Sequence, residues 1–218
     1  MSSCESFTYG NHIGKFDTIL NGNNDSALWV NFGNVDCVCA DGRTRRGQLF
    51  IYWTAAYDYF DTTGTIGLLF HNYYLNNIGI TGSRSVTLLN SKSWTYNANL
   101  NLTYPNNGGT AQWNSTRTVG YNVTNTVSYW TVSGTASGTS RTGKTFNLNI
   151  NQPLYLTFWP WGLGGCAWIE AGYITINVTG LQYSLSVNFG STSALGPNDC
   201  HFGDTVIYNN TKYPFVQL

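Results

Sequence analysis

The chain has 218 residues, of which 9% are charged, and ten basic residues balance ten acidic ones to a net charge of zero. An ordinary soluble domain carries about 25% charged residues, so neutral side chains and aromatic rings, which form 16% of this chain, must cover much of its exterior. The sequence has no basic stripe, which excludes nucleic acid as an expected partner. The chain is long enough to bury a hydrophobic core, so no cofactor is expected.

Alternation with a period of two residues predicts β-strands along most of the chain, and no long window has a helical period. Residues 97–104 and 146–151 alternate asparagine with apolar residues, which is typical of half-buried strands with a polar outer face. Central strands covered on both faces are predicted by apolar runs at 49–56, 66–75, 78–89 and 127–132.

The segment 174–189 predicts a β-hairpin, because its alternation is interrupted only by Gly-Leu at 180–181, a pair suited to a two-residue type II′ turn. Continuing the register of this hairpin, with a short excursion within 191–197, brings Cys166 opposite Cys200. We therefore predict a Cys166–Cys200 disulfide, which contributes about 3–4 kcal/mol in the chain-entropy model.

The strands predict an all-β, mostly antiparallel β-sandwich of about a dozen strands with a disulfide-stapled hairpin. An N-terminal arm is expected over residues 1–27 and a single all-β domain over 28–218. An internal echo is present near both ends of this domain, where Val-Asn-Phe-Gly is followed by Asp-Cys, at 30–37 and at 187–200. A second internal similarity relates residues 46–50 to residues 142–146. Each segment is interpreted as a turn at a glycine that is followed by a strand.

Several motifs follow one another between residues 28 and 218: NFGxxDC, DGRTRRG, GSRSVT, WNSTRTxGY, SGTASGTSRTGK, a Gly-Cys-Ala-Trp strand and a final FG-to-Cys motif. In this order the chain resembles cell-surface and secreted lipoproteins of Bacteroidota that have no established activity. The resemblance implies an extracellular or outer-surface location. The chain departs from the pattern in Cys39, in the Trp-Pro-Trp segment at 159–161 and in a longer loop before Cys200.

Five cysteines, at positions 4, 37, 39, 166 and 200, lack the spacing of a zinc site and predict disulfides formed in an oxidising compartment after export. Cys4 is expected to pair with Cys37 or with Cys39. The alternative for Cys4 is a lipid anchor, because Met-Ser-Ser-Cys at 1–4 resembles the end of a bacterial lipobox. The charge-free stretch 145–169 is interrupted by asparagine, proline and glycine, so no transmembrane helix is expected.

Glycans are expected partners of this weakly charged surface, because they hydrate it without adding charge. Sequons for N-glycosylation begin at Asn24, Asn101, Asn114, Asn122, Asn177 and Asn209. Sites that resemble the O-glycosylation acceptors of Bacteroidota place the modified hydroxyl at Thr18, Ser26, Thr62 and Thr205. The alternative for the sequons is chance, since the chain is rich in asparagine and threonine.

No catalytic residue is expected. A glycosidase needs two facing carboxylates, and the acids in or near predicted strands are Asp58, Asp61, Glu170 and Asp204. These acids are interpreted as scattered turn or capping residues. The histidines do not fit the spacing of a catalytic triad and are His12, His71 and His201.

No metal site is expected either. Asp36 and Asp41 bracket a loop that could hold calcium, but the full acidic rhythm of a calcium loop is absent. A basic cluster lies in the same region, at Arg43, Arg45 and Arg46. It is interpreted as a solvated loop, with an anion site as the alternative.

The abundant aromatic residues predict either packing between copies of the chain or a platform for sugar rings. The candidates are Trp159, Trp161, Tyr57, Tyr59, Tyr73 and Tyr74. Strands that could add to the sheet edge of another copy are Val206–Ile207–Tyr208 and Pro214–Phe215–Val216.

These features favour a non-enzymatic structural subunit of a glycosylated extracellular filament or surface layer, which forms a homo-oligomer or polymer. The alternative is a carbohydrate-binding or adhesive surface module. A small outer-membrane β-barrel is the third hypothesis, because alternating strands and abundant tyrosine also suit it.

Overall fold

A computed structural model describes residues 4, 6–10, 26–54, 64–123, 128–157, 169–190 and 204–215. The fold is all-β, and its strands form one antiparallel sheet of 14 strands, which confirms the predicted class. The strands are β1 (Ser6–Gly10), β2 (Ser26–Asn31), β3 (Cys37–Val38), β4 (Thr44–Trp53), β5 (Thr65–Leu75), β6 (Ile78–Asn90), β7 (Ser93–Thr103), β8 (Thr110–Val123), β9 (Ser128–Thr139), β10 (Thr145–Thr157), β11 (Ile169–Val178), β12 (Leu185–Asn188), β13 (Asp204–Tyr208) and β14 (Thr211–Phe215).

The hydrogen-bonded order follows the chain from β1 to β14, except that β3 lies off this path and pairs with β4. Neighbouring strands are therefore joined by local connections, as in a meander. Residues 6–10, which the sequence assigns to an N-terminal arm, form β1 and pair with β2.

Tight turns built from asparagine pairs connect some of these strands. Asn76 and Asn77 have positive φ angles of 49° and 64° and lie between the paired residues Leu75 and Ile78. Asn209 and Asn210 occupy the same positions between β13 and β14, with φ angles of 48° and 59°. Asparagine tolerates the left-handed region that a two-residue hairpin turn requires. Part of the high asparagine content is thus structural.

The chain divides into two compact units, and unit 1 comprises residues 1–91, 95–114 and 139–143. A core cluster of this unit contains Cys4, Val30, Phe32, Cys39 and Tyr73. A neighbouring cluster buries Ala27 and Phe50 completely, with Trp29, Tyr52 and Leu69 packed against it. Pairing of β1, β2, β4, β5 and β6 holds these clusters in place.

Unit 2 comprises residues 92–94, 115–138 and 144–218. Its strands β10 to β14 have one apolar and one polar face, because residues that pair across strands share a face. One row of the apolar face runs across the strands through Ile150, Ile174, Val187, Val206 and Tyr213. A row of the opposite face runs through Asn149, Thr175, Ser186, Ile207 and Lys212, and all of these except Ile207 are polar.

Each unit contains the same set of hydrogen bonds at its Val-Asn-Phe-Gly segment, and we call this set the clasp. In unit 1 the Oδ1 atom of Asn31 accepts a hydrogen bond from the N–H of Gly33, and the N–H of Phe32 donates to the carbonyl of Gly47. Gly47 has a φ of 86° and lies at a β-bulge of β4. The glycine turn predicted at 46–50 is therefore wrong, whereas the one predicted at 142–146 is present, since the N–H of Gly143 donates to the carbonyl of Ser140 just before β10.

The clasp of unit 2 repeats this pattern with Asn188, Phe189 and Gly190. The side chain of Asn188 accepts from the N–H of Gly190 at 2.9 Å, and the N–H of Phe189 donates to Gly172 at 3.0 Å. Gly172 has a φ of 127° and lies in an irregular part of the β10–β11 ladder. The echo of Val-Asn-Phe-Gly in the sequence thus corresponds to a shared structure.

The predicted register of the hairpin between β11 and β12 is confirmed, since Ile174 faces Val187 and Ile176 faces Leu185. The predicted two-residue type II′ turn is wrong. The strands stop at Val178 and Leu185, and the N–H of Leu181 donates to Val178. Gly180, with a φ of 88°, therefore takes the third position of the turn, where a type II turn requires a positive φ.

Candidate functional site

The outer edge of β14 is the first component of the candidate site. Within the described strands β14 pairs with β13 alone. Residues that flank a two-residue turn form a hydrogen-bonded pair, so Tyr208 and Thr211 bond to each other. Alternation then directs the backbone groups of Lys212 and Pro214 away from β13. Because proline has no N–H, the edge presents one donor, from Lys212, and the carbonyls of both residues.

Exposed tyrosines lie on β14 and next to Tyr208 of β13. Tyr213 of β14 is 52% exposed and Tyr183 is 42% exposed. The ring of Tyr183 contacts that of Tyr208 edge-on, with centroids 5.9 Å apart. Tyr208 and Tyr213 share the apolar face, since Tyr213 pairs with Val206, two residues before Tyr208. We call the outer edge of β14 together with Tyr183, Tyr208 and Tyr213 the edge patch.

The structure corrects part of the predicted assembly strand. Val206, Ile207 and Tyr208 lie in β13, which pairs with β12 on one side and β14 on the other, so their backbone groups are not available to another copy. The second predicted segment does fall on the edge, because Pro214 and Phe215 belong to β14. Val216 lies outside the described residues.

Two of the predicted aromatic contact residues are not available as a platform. Tyr73 is only 6% exposed and packs against Phe32 and Phe70 in the core of unit 1. Tyr74 is covered by the guanidinium of Arg46, which lies 3.7 Å from the centre of its ring. The other candidates lie outside the described residues and are Tyr57, Tyr59, Trp159 and Trp161. Sequence reasoning placed Tyr208 in the predicted assembly strand but did not identify Tyr183 or Tyr213 as contact residues.

Two arginines of the basic cluster of unit 1, Arg45 and Arg46, are bound to acids. Both terminal nitrogens of Arg45 donate to the carboxylate of Asp41, at 2.8 and 2.6 Å. The hydrogen bond from Arg45 lowers the pKa of Asp41 well below its usual range, and Asp41 in turn raises the pKa of Arg45. Burial raises the pKa of the nearby Tyr73 phenol.

Arg46 forms a second ion pair next to the first. Its guanidinium donates to Asp36 and to Asn77, in addition to stacking on Tyr74. Both acids of the proposed calcium loop are therefore held by arginine, and their charge is compensated without a metal ion. Each of the two guanidinium groups likewise has a carboxylate partner, which leaves little charge for an anion. This cluster stabilises the loop between β2 and β4.

The structure shows which cysteine of unit 1 pairs with Cys4. Cys4 forms a disulfide with Cys37, with the two Cα atoms 5.7 Å apart, and Cys39 carries a buried free thiol. The sulfur of Cys4 is thus used in a disulfide and is not free to carry a lipid. The bond indicates an oxidising, non-cytoplasmic environment. Cys166 and Cys200 lie outside the described residues, so their pairing stays a prediction.

The candidate glycan acceptors fall in different surroundings. Exposed positions are held by Asn101, Asn114, Asn177 and Asn209. Asn122 is half-buried and its amide donates to Thr131. Thr205 is half-buried in β13, between Asn188 and Pro214, where there is less room for a glycan than in a turn. The side chain of Ser26 and residues Thr18, Asn24 and Thr62 are outside the described part.

Two buried acids lie at one end of the sheet in unit 2. Glu170 is 2% exposed and Asp204 is 1% exposed, and each lies at the start of its strand, β11 or β13. Both strands run antiparallel to β12, so they begin at the same end. Both acids take part in interactions within the protein.

The structure does not place the remaining acids and histidines considered in the sequence near Glu170 and Asp204. Asp58, Asp61, His12 and His201 lie outside the described residues, and His71 belongs to β5 of unit 1. Among the residues that the structure describes, no group of three His, Cys, Asp or Glu side chains could hold a metal ion.

No described helix is long and apolar enough to cross a membrane. No family model, curated protein or solved structure matches the chain. The resemblance to lipoproteins of Bacteroidota therefore stays a prediction.

Proposed function

We propose that this chain is a structural subunit of a glycosylated extracellular filament or cell-surface layer that assembles through the edge patch. The observation that carries the proposal is that β14 pairs on one side only within the described strands and carries an exposed tyrosine. An open edge offers backbone hydrogen bonds to the sheet of another copy. Tyrosine suits such contacts, since its ring is apolar and its hydroxyl stays hydrogen-bonded.

The low charge of the chain supports association. Like charges keep ordinary soluble proteins apart, whereas here only 9% of the residues are charged and the net charge is zero. The polar faces carry amides and hydroxyls instead, as in the pair Asn147–Asn177. Glycans on the exposed sequons at Asn101, Asn114 and Asn177 would hydrate the polar surface away from β13 and β14 and so favour association at the edge patch.

The apolar row that ends at Tyr213 indicates which side chain an added strand would cover. Ile174, Val187 and Val206 are half-buried, whereas Tyr213 at the end of the row is 52% exposed. A strand added to β14 would extend this row and bury the ring of Tyr213. The backbone bonds and the ring contact would then form in the same step, which favours one register.

The proposal is tested by replacing Tyr213 and a matched tyrosine elsewhere. Tyr96 of β7 is 41% exposed, so Tyr96→Ser removes a similar ring outside the edge patch. We expect the unaltered chain to form regular polymers in electron micrographs and Tyr213→Ser to raise the critical concentration roughly tenfold, the effect of about 1.4 kcal/mol. Tyr96→Ser should leave assembly unchanged. A chain that stays monomeric up to high concentration in sedimentation experiments contradicts the proposal.

A carbohydrate-binding module is the second candidate, because the polar face of unit 2 is an array of neutral hydrogen-bonding groups. Asn147 and Asn177 face each other, and both are exposed. Such amides can bond sugar hydroxyls, although water competes for the same groups. A glycan-array screen of the monomer distinguishes the two candidates. Specific binding by a chain that does not assemble supports the second.

A further inference from the structure

We infer that β14 adds to β1 of a second copy, so that the subunits join head to tail. The inference rests on the proposed function and names the partner of the edge patch. Within the described strands, β1 and β14 are the first and last strands of the hydrogen-bonded order, and each pairs on one side only. A second copy supplies the complementary edge for each of them.

Pairing of β14 with itself is unfavourable for two reasons. A two-fold contact centred on Lys212 places this side chain directly opposite its own copy, and like charges in that position repel. A contact that pairs Lys212 with Pro214 of the second copy avoids this repulsion. It loses half of its hydrogen bonds, because each proline lacks the N–H that the opposing carbonyl needs.

The outer edge of β1 has neither a charged side chain nor a proline. The N–H of Phe32 donates to Gly47 of β4, so alternate residues of β2 direct their backbone groups toward β4 and the others toward β1. The partners of the latter in β1 are residues 6, 8 and 10. The backbone groups of Phe7 and Tyr9 therefore point outward, and each supplies both a donor and an acceptor.

The charge and the covalent link of β1 also suit a receiving edge. The strand Ser6–Gly10 contains no charged residue, so Lys212 of an added β14 meets neutral neighbours. The disulfide between Cys4 and Cys37 ties the chain just before β1 to β3. This bond holds the short edge strand on its sheet while another strand pairs with it.

Self-pairing of β1 would make a complete set of bonds, whereas the pairing with β14 lacks the bond that Pro214 cannot donate. Self-pairing of β1, however, leaves every β14 edge open. A head-to-tail contact uses one β1 and one β14 edge at each junction, so no edge stays open inside a chain of subunits. Such heterologous contacts produce filaments unless the rotation between copies closes a ring. The geometry thus favours an open polymer over a closed dimer.

Two edge-blocked variants test this pairing. Lys212→Pro removes the outward N–H of β14, and Phe7→Pro removes an outward N–H of β1. Neither N–H bonds to the chain's own sheet, so both variants should fold, and proline is tolerated on edge strands. We expect each variant alone to be monomeric in light scattering. An equimolar mixture should form a dimer of twice the monomer mass, through the intact β1 of one and the intact β14 of the other.

Other results overturn the inference or the proposed function separately. If Phe7→Pro dimerises alone, β14 pairs with itself; if Lys212→Pro does so, β1 pairs with itself. Hydrogen exchange on the unaltered assembly gives an independent answer that needs no variant. Added protection of the amides of both Phe7 and Lys212 supports the inference, and protection of only one overturns it. A chain that never assembles overturns the proposed function itself.

Discussion

Unit 1 and unit 2 contain the same clasp but support it by different means. In both, a buried phenylalanine is flanked by an asparagine side chain that accepts from the next glycine. Unit 1 adds two arginine–aspartate pairs and a disulfide around this clasp. In unit 2 the residues before the bulge glycine are Glu170 and Ala171, where unit 1 has Arg45 and Arg46. The short motif determines the local backbone, and its surroundings determine how firmly it is held.

The largest test of this comparison removes the buried ring from each clasp. Phe32 is 9% exposed and Phe189 is 6% exposed. Each change to alanine should lower the free energy of unfolding by about 3–5 kcal/mol, as expected for a buried phenylalanine. Urea titration of Phe32→Ala and Phe189→Ala measures both values. A loss below about 1 kcal/mol in either unit means that the ring does not anchor its clasp.

The disulfide should stabilise unit 1 without a counterpart among the described residues of unit 2. The bond joins residues 33 positions apart, so replacing Cys4 and Cys37 by serine should cost about 3–4 kcal/mol in the chain-entropy model. Cys39→Ala is the matched control, because its thiol is free, and it should cost much less. Urea titration again gives the values. Equal losses for the double variant and the control contradict this role of the bond.

Replacing the bulge glycine Gly47 by alanine should cost more stability than replacing Gly33, the last residue of the Val-Asn-Phe-Gly segment. A Cβ on Gly47 would lie 2.0 Å from the carbonyl oxygen of Asn72, whereas one on Gly33 meets nothing within 4 Å. Both have positive φ angles, which alone costs about 1–2 kcal/mol for alanine. Gly47→Ala should therefore cost roughly 3 kcal/mol, since overpacking adds to the strain.

The matched control for this effect is Gly33→Ala, which should show the cost of the φ angle alone. Gly172→Ala should fall between them, because its Cβ would lie 2.6 Å from the carbonyl oxygen of Pro153. The midpoints of urea unfolding rank the three variants. Equal midpoints for Gly33→Ala and Gly47→Ala would show that the bulge relaxes without loss.

The sequence predicted those parts of the fold that depend on neighbours along the chain. The β11–β12 register followed from alternation alone, and the echo of Val-Asn-Phe-Gly marked both clasps. Gly47 was misinterpreted because its bulge depends on Phe32 and Asn72, which are distant in sequence. The edge was assigned partly to Val206–Tyr208 for the same reason, since strand order is not local. Lys212 and Pro214 were the available signals, because both residues are common on edge strands.

The smallest expected effect concerns the Asp41–Arg45 ion pair. This pair should make the stability contributed by the loop of unit 1 depend on pH. The hydrogen bond from Arg45 lowers the pKa of Asp41 in the folded state, whereas an unfolded aspartate titrates at about 3.9. The pair therefore stabilises the fold above about pH 4 and loses this contribution as pH falls further. Asp41→Asn should lower the unfolding temperature slightly at pH 7 and by less at pH 2.

Thermal unfolding between pH 2 and pH 7 checks this expectation. The unaltered chain should lose stability more steeply below about pH 4 than Asp41→Asn does, and the difference between the two curves should shrink toward pH 2. Arg45→Gln should show the same reduced slope, because the neutral side chain no longer lowers the pKa of Asp41. Parallel curves for all three proteins would mean that the ion pair does not couple to folding. The clasp of unit 1 would then depend on its disulfide, its buried ring and the Asp36–Arg46 pair.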